Sequence, residues 1–189
     1  MVYIDDQYQL MDLATALEAV GPERRQYALR YRQKSDQLQC LAAYLLLQRA
    51  LREEYGMTAV PPFAYGPNGK PFFEDYPDIQ FNLSHCREAV ACVVARGPVG
   101  IDIESVGIYD DELVHRTMNE QEQQLIAKSD NPQAAFTRLW TMKESVLKLT
   151  GEGMVDDLHS VLSDVHQYNF HVIPHARYIC TTCREACQK

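Results

Sequence analysis

Polar and apolar positions repeat with two periods along the chain, and the changes of period mark its elements. From Asp36 to Tyr55 apolar residues recur at Leu38, Leu41, Ala42, Leu45 and Leu46, the spacing of one buried helical face. Ser35 precedes the run as a candidate cap and Gly56 follows it as a stop, so the pattern predicts a helix over 36–55. The period then drops to two. "IQFNLS" and "AVACVVA" read as strands joined by a short polar link around His85 to Glu88, and Asn68-Gly69 reads as a tight turn between apolar arms. "GPVG" at Gly97 to Gly100 is the best boundary, and "VGIDIE" opens a second half as a strand. A helix is predicted from Glu120 to Lys128 and a longer one from Pro132 to Leu149, with Asn131 as its cap and Gly151 as its stop. "SVLSDVHQYNFHVI" and "ARYICTTC" alternate well enough for two last strands. The pattern implies an α/β or α+β fold in two halves, 1–98 and 99–189, with no solenoid repeat.

Composition adds that 189 residues, 46% of them hydrophobic, can bury a core without disulfides. A net charge of −8 argues against a chain whose business is gripping nucleic acid or an anionic membrane. The charge reverses locally in "ERRQYALRYRQKSD", where Arg24, Arg25, Arg30, Arg32 and Lys34 offer a place for an anion or stand as a solvated helix face. The first twenty residues have no basic n-region, and the longest apolar run, "CLAAYLLL", is too short for a membrane span. A cytoplasmic protein is expected. Of the six cysteines, Cys40, Cys86 and Cys92 read as buried hydrophobes of a reducing compartment. "CTTCREAC" gives Cys180 and Cys183 a zinc-ligand spacing, with His175 nearby and Cys187 beyond, but there is no second well-spaced pair, so a terminal strand and tail is the preferred reading.

The candidate chemistry begins at Asp102 and Glu104. On a strand, residues two apart point the same way with Cα atoms about 6.5–7 Å apart, so these acids can converge on one ion. Carboxylates that leave room for water and phosphate oxygens suit Mg²⁺ better than zinc, although a solvated edge strand explains "DIE" equally well. In "LWTMKESVLK", Trp140, Glu144 and Lys148 lie four apart and share a helix face, either as a functional stripe or as an ordinary Glu–Lys pair beside a tryptophan. Ser84 and His85 close the strand "FNLSH", and Lys70 sits in the turn "NGKP". Glu122 follows Asn119 by three and reads as a capping-box partner.

Together, "GKP", "FNLSH", "GIDIE" and "LWTMKESVLK" resemble the 4′-phosphopantetheinyl transferase superfamily, in its larger surfactin-synthetase-activating type, over about Pro22 to Gly153. The resemblance implies a monomer of two pseudo-symmetric halves with coenzyme A in the cleft between them. It implies transfer of phosphopantetheine from coenzyme A to a serine of an acyl or peptidyl carrier protein, releasing adenosine 3′,5′-bisphosphate. Asp102, Glu104 and Glu144 match the family's Mg²⁺-binding acids. Lys148 then faces the pyrophosphate, Lys70, Ser84 and His85 match positions that hold the nucleotide phosphates, and Arg24 matches a cation near the 3′-phosphate. Glu144, or a metal-bound water steered by a carboxylate, is the base implied for the serine hydroxyl, with Glu144 preferred; Glu122 matches a further acid whose role stays open. Gln39 stands where many relatives have arginine, Cys40 where a small hydroxyl is frequent and Tyr27 where a lysine occurs, departures that bear on coenzyme A affinity. A non-catalytic module binding coenzyme A or a carrier protein is the alternative.

Overall fold

A computed structural model describes residues 1–107, 109–153 and 157–186. The chain begins with β1 (Val2–Asp5), α1 (Leu13–Glu18), α2 (Pro22–Ala28) and α3 (Lys34–Tyr55). A small hairpin, β2 (Ala64–Tyr65) and β3 (Pro71–Phe72), leads into β4 (Ile79–His85) and β5 (Val90–Arg96). Then come β6 (Gly100–Ser105), α4 (Asp111–Thr117), α5 (Glu120–Ala127), α6 (Pro132–Thr150), β7 (Tyr168–Pro174) and β8 (Tyr178–Glu185). Apart from the hairpin, the strands make two antiparallel sheets of three, ordered β1-β5-β4 and β6-β8-β7. The chain crosses from one to the other at Gly97, whose φ of 87° suits glycine.

Burial of both strand faces explains the continuous apolar run of β5. Val90, Cys92 and Val94 pack with Leu46, Leu47 and Leu51 of α3 and with Phe73 and Phe81. The alternate residues Ala91, Val93 and Ala95 pack with Val99, Ile101, Ile103 and Cys180 of the second sheet. The apolar face of "VGIDIE" is therefore an inter-sheet core, and its other face lies under α6. Gly100 is required there: a Cβ would sit 1.9 Å from the Ser145 carbonyl oxygen and 2.7 Å from the Leu149 nitrogen. This close approach ties β6 to the helix that carries Glu144 and Lys148.

The long helices obey their caps. Asn131 accepts from the Ala134 amide, Gly151 ends α6 at φ 74°, and Gly56 ends α3 at φ 68°. Ser35 does not cap α3. The helix starts two residues earlier, at Lys34 with Gln33 at the cap, and Gln37 Nε2 donates to the Tyr31 carbonyl at 2.8 Å just ahead of it. Of "SVLSDVHQYNFHVI" only Tyr168–Ile173 is strand; the residues before it include the short 3₁₀ turns Leu158–Ser160 and Val165–Gln167. Asp157 accepts from the His159 amide and Asp164 accepts from the Gln167 side chain, local bonds that compete with a strand ladder.

Candidate active site

A groove of about 720 Å³ runs where the two sheets and α6 meet, lined by Asp102, Glu104, Trp140, Glu144 and Lys148, by Ser84 and His85 of the first sheet and by Lys70 of the β2–β3 hairpin. Asp102 is 2% exposed, which removes the solvated-edge reading of "DIE". Its Oδ1 accepts from the Ser84 hydroxyl at 2.8 Å and from Lys148 Nζ at 2.5 Å, while Oδ2 is buried without a partner. Lys148 therefore pairs with Asp102 rather than with Glu144, and it also donates to Ser84 Oγ at 2.9 Å. Ser84 accepts from the Ile103 amide at 3.3 Å, so its hydroxyl joins β4 to β6 as well as holding the acid.

The remaining two acids are electrostatically uncomfortable. Burial, and then the neighbouring Asp102 and Glu144 carboxylates, push Glu104 up to about 7 against the opposing pull of Lys148. Burial followed by Asp102 likewise raises Glu144. Such mutual repulsion is what a bound cation relieves. Among the described residues no three His, Cys, Asp or Glu side chains are drawn together to ligand distances. The donor set nonetheless fits a hard divalent cation: three carboxylates on one groove, one with an orphaned buried oxygen.

The cations of the groove occupy distinct stations. Lys70 Nζ donates to the Leu149 carbonyl at 2.8 Å, at the end of α6, and burial pushes its pKa down. His85 stands where this groove meets a second cavity lined by Arg24, Tyr27, Gln39 and Cys40; burial, then Lys148, lower its pKa. Arg24 lies over the rings of Tyr27 and Tyr44, 4.9 Å from each centroid, and Nη2 donates to the Cys40 carbonyl at 2.8 Å. Its Nε is buried and unpartnered, so the guanidinium keeps a free donor. Gln39 is spent on structure, donating to the Tyr8 hydroxyl and the Cys86 carbonyl.

Two other predicted features prove structural. Glu122 completes the capping box with Asn119 and accepts from the fully buried Lys143 at 2.7 Å. Lys143 also donates to the Thr117 and Leu158 carbonyls, joining α4, α5 and α6 behind Glu144. On β8 the strand reading of "CTTCREAC" stands and the zinc pairing of Cys180 with Cys183 does not, because residues three apart on a strand point to opposite faces. Cys180 lies in the inter-sheet core and Cys183 against Val146 and Leu149, while His175 stacks on Tyr178. Cys187 lies outside the described residues. Reading by motif missed Asn82, which lines the groove with an unpartnered buried Oδ1. Its place two residues before Ser84 on β4 was the available signal. Asn68, Gly151 and Leu158 also line the groove unannounced.

Comparison with known proteins follows the same sequence. The family model described as ACPS, 4′-phosphopantetheinyl transferase superfamily, matches residues 98–186. The chain is 30% identical over 169 residues to "4′-phosphopantetheinyl transferase Sfp" of Bacillus subtilis (strain 168), covering 88% of this chain and 75% of that one. It is 32% identical over 156 residues to a "4′-phosphopantetheinyl transferase" of Bacillus subtilis, covering 81% and 70%. With "4′-phosphopantetheinyl transferase gsp" of Aneurinibacillus migulanus it shares 34% over 154 residues, covering 78% and 63%. Among the described residues no helix is long and apolar enough to cross a membrane.

Proposed function

The chain belongs to the 4′-phosphopantetheinyl transferase superfamily, and on that premise we propose that it moves the 4′-phosphopantetheine arm of coenzyme A to a serine of an apo-carrier protein in a Mg²⁺-dependent reaction. The observation that carries this reading is the groove itself, where three carboxylates, one with an orphaned oxygen, face two lysines and a histidine. Halves 1–98 and 99–189 act as one catalytic unit, a cytoplasmic monomer in this reading, with the groove between them.

Asp102, Glu104 and Glu144 would hold the Mg²⁺, which would supply Lewis-acid neutralisation of the pyrophosphate charge. Lys70, Lys148 and His85 orient the phosphates, and Ser84 keeps Asp102 in place through the bond already described. Arg24, with its free Nε, takes the phosphate at the nucleotide end. Glu144, at the groove surface beside Lys148, takes the proton of the carrier serine. The serine oxygen bonds to the phosphorus that bears the pantetheine arm. The bridging P–O bond breaks, and its electron pair leaves on adenosine 3′,5′-bisphosphate. The exposed Arg30 and Arg32 would meet an acidic carrier, so charge reversal at both should weaken carrier affinity; unchanged affinity removes them from that role.

The test mixes the protein with coenzyme A, Mg²⁺ and a panel of apo-carrier proteins and reads carrier mass. A gain of one phosphopantetheine on at least one carrier is expected. No gain on any, with tight coenzyme A binding, would make the chain a binding module, and adenosine bisphosphate released without a carrier would make it a hydrolase.

A further inference from the structure

The tip of the β2–β3 hairpin crosses from the first sheet to the end of α6, and two hydrogen bonds hold it there. Lys70 Nζ donates to the Leu149 carbonyl at 2.8 Å and Asn68 Nδ2 to the Gly151 carbonyl at 3.0 Å. Both acceptors lie at a helix C-terminus, where carbonyls lack intrahelical donors and carry partial negative charge. The hairpin rests directly on this end: a Cβ at Gly151 would come 3.2 Å from Lys70 Cδ, and one at Gly153 would come 3.5 Å from Asn68 Cβ. Asn68, Gly69 and Lys70 thereby line the groove side by side with Gly151 and Gly153.

The two bonds differ in what a ligand does to them. Lys70 is a half-buried ammonium bonded to a neutral carbonyl, and none of the described ion pairs includes it. A pyrophosphate in the groove offers it charged oxygens, a stronger acceptor. Asn68 carries no charge and has no reason to leave Gly151.

We propose that Asn68 is a positioning residue, the hook of a clasp that keeps the hairpin closed over the groove once Lys70 has turned from α6 to a pyrophosphate-bearing substrate. The proposal rests on the coenzyme A reading above. In the free protein the Lys70 bond suffices to hold the hairpin, with or without Asn68. In the complex, Asn68–Gly151 is the side-chain bond left between the hairpin tip and α6 among the described residues.

Asn68→Ala should therefore weaken coenzyme A binding about three- to tenfold by calorimetry, with the loss in kcat/KM carried by KM, and Asn68→Gln, which keeps the donor, should recover part of it. Hydrogen exchange at the Gly66 and Gly69 amides, which close the turn onto Lys70 and Gly66, separates a clasp from general loosening. Exchange should match wild type without ligand and exceed it with coenzyme A bound, with α3 unchanged in both. Faster exchange in both states, or a variant that binds coenzyme A as tightly as wild type, overturns the clasp. Failure of the wild-type protein itself to bind coenzyme A overturns the reading beneath it.

Discussion

One oxygen of Asp102 holds Ser84 and Lys148 while the other is buried with nothing to accept from, an arrangement that serves no purpose in a purely structural acid. Asp102→Asn keeps the shape and an acceptor for Ser84 and Lys148 but removes the charge. Transfer should fall about 100-fold or more, while the thermal midpoint moves by only a few degrees; activity within a few-fold of wild type would take Asp102 out of the site. Cys180 behaves oppositely. Burial, with smaller contributions from Asp102 and Cys86, pushes its thiol up to about 12, so the folded protein keeps its proton above the pH at which an unfolded thiol loses it. Alkylation of Cys180 in the native protein should stay negligible from pH 7 to 9 while the urea-unfolded chain labels faster with each step, as peptide mass mapping would read. Labelling of Cys180 at the unfolded rate would contradict its place in the inter-sheet core. These single-residue environments were only half legible beforehand: the two acids of "DIE" announced their shared side, but their burial comes from α6, far along the chain.

Between elements the decisive contacts are β6 on α6 and α5 on α6. Gly100→Ala must push the α6 backbone away from β6, since the added carbon meets the Ser145 oxygen and the Leu149 nitrogen. It should cost more than about 2 kcal/mol in urea unfolding and lower transfer more than Asn68→Ala does, because Glu144 and Lys148 move with the helix. The Glu122–Lys143 pair is the second lever. Glu122→Gln leaves a buried ammonium without its counter-charge and should cost about 3 kcal/mol, whereas Lys143→Met with Glu122→Leu should recover much of that; equal losses in the single and double variants would deny the coupling. The long helices and β4 to β6 were legible because their caps and periods agree with their burial. β1, α1, α2 and α4 were not, being four to seven residues long and thus shorter than the window in which a period can be counted. The 160–167 stretch misled because its alternating residues answer to local Asp side chains rather than to a sheet.

Across the whole molecule, the four motifs lie on a turn, two strands and a helix from both sheets, and the fold brings them to one groove. Their meeting was legible only through resemblance to a family, since no period or spacing within one element says which distant element will face it. The Lys148–Asp102 bond and the second, Arg24-lined cavity joined to the groove at His85 had no local signal at all. The central claim is that Asp102, Glu104 and Glu144 form the floor of a cation-dependent transfer site. It is tested most directly by the mass of an apo-carrier protein after incubation with coenzyme A, followed as Mg²⁺ is titrated into metal-free wild-type protein and into Asp102→Asn. The account predicts a gain of one phosphopantetheine that rises with Mg²⁺ in the wild type and is absent from the variant on the same time scale. An equal gain in both proteins, or a gain that ignores Mg²⁺, would contradict it.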